Sequence, residues 1–346
     1  MMMSYAGGFV EGARRVAELE KAGLDVVWIP EAYSFDAISQ VGYLAAITER
    51  VEIGTGIINV YSRTASLTAM TAAGCDYVSN GRFILGLGAS CPQVVEGFHC
   101  VPYDKPLQRI KEYIEVCREV WKREKALSYQ GQTVQVPLPA GEGTVLGKPL
   151  KLINHPVRAD IPVWWASLKG LSVEATAELA DGWLPVFFVP DKFEQVWGKA
   201  LSKGRAKRPA AMKPLEISAG GLLAIDESLV GEAKDKVLDF ARPNVALYVG
   251  GMGARGKNFY NDICRDYGYE REAAQIQDLY LSGKKDEAAR AVPREMLELT
   301  NLVGPAGYVK ERVAAFRAAG VTMLSVNPVG NDHTAALGKL RELIHA

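Results

Sequence analysis

The chain has 346 residues, 48% hydrophobic and 23% charged, an ordinary globular balance with material for a large core. Its 40 basic residues cancel its 40 acidic ones. No charge excess points to nucleic acid or an anionic membrane, and no apolar run approaches the ~20 residues of a membrane helix, so a small-molecule site is the default expectation.

Residues 1–6 are apolar but lack a basic leader and a cleavage-like site, so they do not read as a signal peptide. Residues 1–5 read instead as a short first strand. A striped helix over 12–20 follows, with Ala13, Val16, Ala17 and Leu19 among charged neighbours. Ala22-Gly23-Leu24-Asp25 ends it, with glycine in the left-handed position that closes helices. The same punctuation returns at Ala180-Asp181-Gly182-Trp183 and Ala319-Gly320-Val321-Thr322.

Strand runs come at 26–30, 51–58, 83–87, 161–166, 183–187, 222–225 and 321–326. They are apolar nearly throughout, as strands covered on both faces are. With residues 1–5 that makes eight strands in β-then-α order. Such order implies a parallel sheet, and eight units favour closure into a (β/α)8 barrel, a single α/β domain over 1–346. Two segments break the alternation: 128–152 reads as an inserted hairpin loop and 226–300 as a mostly helical insertion. Each suits either the active face or a surface decoration that supports dimer contacts.

Polar residues gather where strands end. Glu31 and Tyr33 follow the second, Asn59, Tyr61, Ser62 and Arg63 the third, and Asn327 the last. Glycine in the run Gly54-Thr55-Gly56-Ile57 marks a bulge or a close backbone approach. Gly86 and Gly88 either admit a flat ligand or ease packing. The loop after them, 91–100, holds Gln93, Glu96 and His99. Ala166-Ser167-Leu168-Lys169-Gly170 leads into a helix. Free N–H groups and a lysine there suit a phosphate, and they equally suit a capped helix with a solvated lysine. There is no dinucleotide fingerprint, no GxSxG elbow and no HExxH. His99 beside Cys91 and Cys100 matches no zinc spacing, so no metal is expected. Five scattered cysteines without a CxxC pair suit a reducing cytoplasm.

Taken together, Trp28-Ile29-Pro30-Glu31-Ala32, Gly54-Thr55-Gly56-Ile57, the stretches 67–73, 81–90 and 92–99, Ala177-Glu178-Leu179-Ala180-Asp181-Gly182-Trp183, Leu247-Tyr248-Val249-Gly250-Gly251-Met252-Gly253 and Asn258-Phe259-Tyr260-Asn261 resemble the luciferase-like monooxygenase superfamily. Its coenzyme F420-dependent oxidoreductase branch is the nearest match. The resemblance implies a bulged third strand with a non-proline cis peptide at Gly56-Ile57, Asn59 beside it, supporting a deazaflavin ring. It implies that Ser90, Gln93 and Val94 line the ring, and that Ala166, Ser167, Leu168, Lys169 and Gly170 cradle the cofactor phosphate. Glu31 and His99 are then the catalytic candidates, with Tyr61 and Arg63 for substrate. Similar proteins are often homodimers, and the resemblance carries over a small organic substrate. Departures are Cys91 and Cys100 where glycine is usual, and Leu168-Lys169-Gly170 where Gly-Pro-Lys is common. A cysteine forced to positive φ at 91 would reshape the cofactor loop. FMN is the alternative cofactor, as in a monooxygenase. A barrel that has lost its cofactor and acts as a binding protein is a third reading. The deazaflavin's acidic tail would want a basic channel near Lys169 or Arg63.

Overall fold

A computed structural model describes residues 1–5 and 7–345; Ala6, within the apolar N-terminal stretch, and Ala346 lie outside the described residues. Seven strands pair side by side in the order Val26–Ile29, Glu52–Thr55, Phe83–Gly88, Val163–Trp165, Gly182–Trp183, Glu216–Ala219 and Met323–Leu324, every pair parallel. The eighth is the start of the chain. Met2 bridges Trp28 in parallel, and its N–H reaches Asn327 Oδ1 at 3.2 Å on the other edge. The sheet therefore curls back on itself as a (β/α)8 barrel.

The continuous apolar strand runs have a direct cause. Val26 and Trp28 point into the barrel with Ile84, Trp164 and Leu184. Val27, Ile29, Phe83, Leu85, Val163 and Trp165 point outward into the layer shared with the helices. Both faces of each strand are buried, so both must be apolar. The two indoles inside, 5.0 Å apart, leave no room for neighbouring side chains. A Cβ on Gly54 would lie 2.3 Å from the Trp28 ring, and one on Gly182 2.1 Å from Trp164. Small residues opposite large ones fill the taper of a small barrel and give the site a solid floor.

Several boundaries differ from the sequence reading. Of the run 183–187 only Trp183 is strand, in the pair Gly182–Trp183, because Pro185 has no N–H to donate. Strand seven begins at Glu216, breaks, and resumes as Leu222–Ile225. Strand eight breaks in step, into Met323–Leu324 and Asn327–Pro328. Gly220 enforces the break, with φ 149° and Ser325 O only 2.5 Å from where a Cβ would sit. The outer pieces join an unforeseen strand, Leu302–Gly304, in a small parallel sheet.

Within 128–152 an antiparallel hairpin pairs Tyr129–Gln130 with Gln135–Val136. The buried carboxylate of Glu112 accepts from the N–H groups of Gln132, Thr133 and Val134 at 2.7–2.8 Å and pins its turn. Between 226 and 300 run the helices Gly231–Leu238, Arg242–Ala246, Phe259–Asp266, Glu270–Leu281, Lys285–Arg290 and Arg294–Thr300. Among the described residues no helix is long and apolar enough to cross a membrane.

Candidate active site

Because the strands are parallel, their C-terminal ends open on one side, and that mouth collects the polar residues. The third strand carries a bulge there. Gly54 pairs with Ile84 and Ile58 with Leu87, so one extra residue is taken up between them. The Thr55 hydroxyl replaces the interrupted ladder: it accepts from the Gly86 N–H and donates to the Gly86 carbonyl, both at 2.9 Å. The Gly56-Ile57 peptide is cis. A Cβ on Gly86 would fall 1.8 Å from Thr55 O, and one on Gly88 2.8 Å from the Ile57 side chain. These two glycines make room for the bulge itself, which favours packing over ligand access.

Beyond the bulge, Asn59 is 3% exposed. Its Oδ1 accepts from the Tyr61 N–H at 3.0 Å. Its Nδ2 is buried with no hydrogen-bond partner among the described residues. A buried donor left unpaired costs about 1–3 kcal/mol, so this amide is poised for an acceptor.

Glu31 and Arg63 are brought together. Arg63 grips both carboxylate oxygens, at 2.6 and 2.9 Å, with side chains only 14% and 8% exposed respectively. Glu31 also accepts from Ala37 N–H at 2.9 Å, at the start of the helix Ala37–Ile47. Burial works against the Arg63 charge, but the bonds to Glu31 outweigh it and raise its pKa. The sequence reading placed these two residues at the site separately; the structure engages each with the other. Tyr61 is engaged as well. It is 5% exposed, its hydroxyl donates to Asp104 O at 2.6 Å, and its ring lies between Tyr103 and the Arg109 guanidinium. Burial pushes its phenol up to about 12. It builds part of the wall of the mouth.

In the next loop the left-handed residue is Ser90, with φ 57°. Cys91 has φ −132° and simply precedes the short helix Pro92–Gly97. The concern over cysteine at 91 is thereby removed, whereas Cys100 does take a positive φ, 57°. Gln93 is exposed, and Val94 and His99 are half-buried. The His99 ring lies edge-on to Phe98 at 5.3 Å.

The turn after strand five is held rigidly from below. Trp183 Nε1 donates to Ser167 O and Trp197 Nε1 to Leu168 O, both at 3.0 Å. The Ser167 hydroxyl is shared with Thr176 at 2.7 Å, so this serine offers backbone only. Ala166 N–H is likewise tied to Leu87 O. The helix starts at Gly170, where a Cβ would meet nothing within 4 Å. Lys169 Nζ bonds Asp262 Oδ2 at 2.5 Å, which docks the helix Phe259–Asp266 over the turn. Since Arg63 is also paired, the basic channel expected at these two residues is not a free one.

Sequence reasoning missed an aromatic rim. The Tyr5 and Tyr248 hydroxyls are hydrogen-bonded. Tyr248 meets Tyr260 edge-on at 4.8 Å and Phe187 at 5.8 Å. Tyr33 and Phe98, each 61% exposed, lie 6.4 Å apart. Asn258 and Asn261 hold the turn that presents Tyr248 and Tyr260. Their amides donate to the Tyr248 and Val249 carbonyls at 2.9–3.0 Å. Gly250 and Gly251 let the helix Glu270–Leu281 approach; a Cβ on either would sit 2.5 Å from Tyr280. The only hint in the sequence was that both tyrosines fall in the glycine–asparagine stretch. Among the described residues no cluster of three or more metal-ligating side chains forms.

Residues 1–323 match the luciferase-like monooxygenase family model. A Mycobacterium tuberculosis protein provisionally named a coenzyme F420-dependent oxidoreductase is 41% identical, covering 95% of this chain and 93% of its own. Among solved structures, the coenzyme F420 dependent tetrahydromethanopterin reductase from Methanopyrus kandleri has a TM-score of 0.78 at 21% identity, over 100% of this chain and 97% of that one. The FMN-bound oxygenating constituent of 3,6-diketocamphane monooxygenase from Pseudomonas putida has a TM-score of 0.62 at 17% identity, over 99% and 93%. These two likenesses bear on the fold alone.

Proposed function

Because this chain belongs to the luciferase-like monooxygenase family, we propose that it is an oxidoreductase that uses coenzyme F420 to exchange a hydride with a small organic substrate. The observation that carries the reading is the unpaired, buried Nδ2 of Asn59 beside the bulge. The bulge and this donor fit a planar, acceptor-edged ring. The name of the 41%-identical relative points to the same cofactor.

When bound, the deazaflavin supplies the hydride chemistry. The chain supplies position. Gly56, Ile57 and Asn59 support the ring, while Ser90, Gln93 and Val94 flank it. Ser167, Leu168, Lys169 and Gly170 offer backbone amides to the phosphate, where the helix N-terminus favours negative charge, while Ala166, its N–H held by Leu87 O, fixes the start of the turn. The Glu31–Arg63 pair holds the strand-two and strand-three loops in register. That leaves His99 as the group free to move a proton. The five free cysteines suit a cytoplasmic enzyme, and we take it to work as a homodimer.

FMN is the second reading, and one observation favours it. Lys169 and Arg63 are both paired, and FMN lacks the acidic tail that would compete for them. Titration with each cofactor, followed by tryptophan fluorescence, separates the two, since Trp183 touches the phosphate turn. Saturable micromolar binding of the deazaflavin alone supports the proposal. Binding of FMN alone moves the chain to the flavin reading. Binding of neither makes it a barrel that has lost its cofactor.

A further inference from the structure

We infer that the Tyr5–Tyr248 phenol pair anchors the oxygen of a neutral, planar, conjugated carbonyl compound in the aromatic basin at the barrel mouth. This rests on the hydride-transfer reading above and deepens it by naming the substrate class.

The two tyrosines are 243 residues apart in sequence. Tyr5 arrives from the end of the first strand, and Tyr248 from the helical segment beyond strand seven. Two phenols carry two O–H groups, and the bond between them uses one. Neither hydroxyl has another partner among the described residues, so one donor is left for a third group. Tyr5 is the better placed to offer it, being 40% exposed while Tyr248 is half-buried beneath Tyr260 and Phe187. Burial raises both phenols above the usual tyrosine range, so they remain donors at neutral pH.

The surroundings select the rest of the ligand. Phe187 is held at φ 54°, a conformation uncommon for a bulky residue, and its ring meets both Tyr248 and Tyr260. With Tyr33 and Phe98 the basin presents ring faces and edges, which take flat conjugated systems. The nearby cations are neutralised, Arg63 by Glu31 and Lys169 by Asp262. A carboxylate or phosphate would find no unpaired charge at these positions, whereas a neutral ketone needs none. Conjugation matters because a hydride added to such a system leaves negative charge on its oxygen, where a fixed donor is most effective.

The test compares 2-acetylnaphthalene with naphthalene, titrated by fluorescence into the full-length protein, its Tyr5→Phe variant and its Tyr248→Phe variant. The wild type should bind the ketone about tenfold more tightly than the hydrocarbon, the worth of one hydrogen bond. Tyr5→Phe should lose that advantage yet hold naphthalene as before, whereas Tyr248→Phe, which leaves the Tyr5 O–H free to donate, should keep most of it. Unchanged ketone affinity in Tyr5→Phe, or no ketone binding by the wild type, overturns the inference. A parallel deazaflavin titration keeps the two ideas apart. Its failure in the wild type would overturn the hydride-transfer reading, while the ketone comparison still decides on the anchor.

Discussion

Replacing Glu31 by glutamine separates a tether from a catalyst. The carboxylate accepts two bonds from Arg63 and one from the Ala37 amide. Glutamine keeps one acceptor oxygen and turns a donor toward the guanidinium, which then sits in the protein unpaired. Removing one partner of a buried pair costs roughly 3–5 kcal/mol. The remaining exposure of the Arg63 side chain, 14%, lets water screen it and argues for about 3 kcal/mol. At about 2.1 cal/mol/K of unfolding entropy per residue, a chain of this length loses about 4 °C of Tm. Circular dichroism melts of the wild type and Glu31→Gln read this directly. The double variant Glu31→Gln, Arg63→Met should regain more than half of the loss, since no charge is stranded. A Glu31→Gln protein with unchanged Tm but abolished turnover would refute the reasoning and return Glu31 to the role of proton carrier.

Gly86→Ala should cost about 3 kcal/mol or more by overpacking, because its Cβ would meet Thr55 O at 1.8 Å; soluble yield and Tm check it. Asn59→Asp removes the buried donor and should weaken deazaflavin binding about tenfold, the scale of one hydrogen bond, in a fluorescence titration. Asp262→Asn frees Lys169 and should tighten deazaflavin binding a few-fold, in keeping with a half-exposed pair worth roughly 1 kcal/mol or less. Acid should loosen the hairpin. Burial opposes the Glu112 charge, but its hydrogen bonds from Thr133, Gln108 and the Gln132 amide hold its pKa below the usual value. A depressed carboxyl contributes stability above its unfolded pKa of about 4.3 and loses it as pH falls through the lower folded value. Amide protection factors in 129–136, each rate taken against the intrinsic rate at the same pH, should therefore fall below about pH 4.3, and much less in Glu112→Gln.

The barrel was legible because its strands are buried on both faces and its helices on one, which writes two different periodicities into the chain. The insertion at 226–300 was legible as helical for the same reason. What escaped were features with no period. Leu302–Gly304 is three residues between a helix and Pro305, and the break at Gly220 depends on Ser325 across the sheet. At the site, the bulge at Gly54 to Ile58 showed through its glycines. The Glu31–Arg63 pair did not, because nothing local says that residues 32 apart will meet. The Tyr5–Tyr248 contact is more remote still. Cys91 looked disruptive because sequence shows a residue type and not a backbone angle; the left-handed residue of that loop start is its neighbour Ser90.

The most direct test of the central claim is a crystal structure of the protein soaked with coenzyme F420. The account predicts the ring against Gly56-Ile57 with an acceptor edge on Asn59 Nδ2, and the phosphate on the amides that open the helix at Gly170. A deazaflavin bound elsewhere, with the Asn59 amide still unpaired, would contradict it.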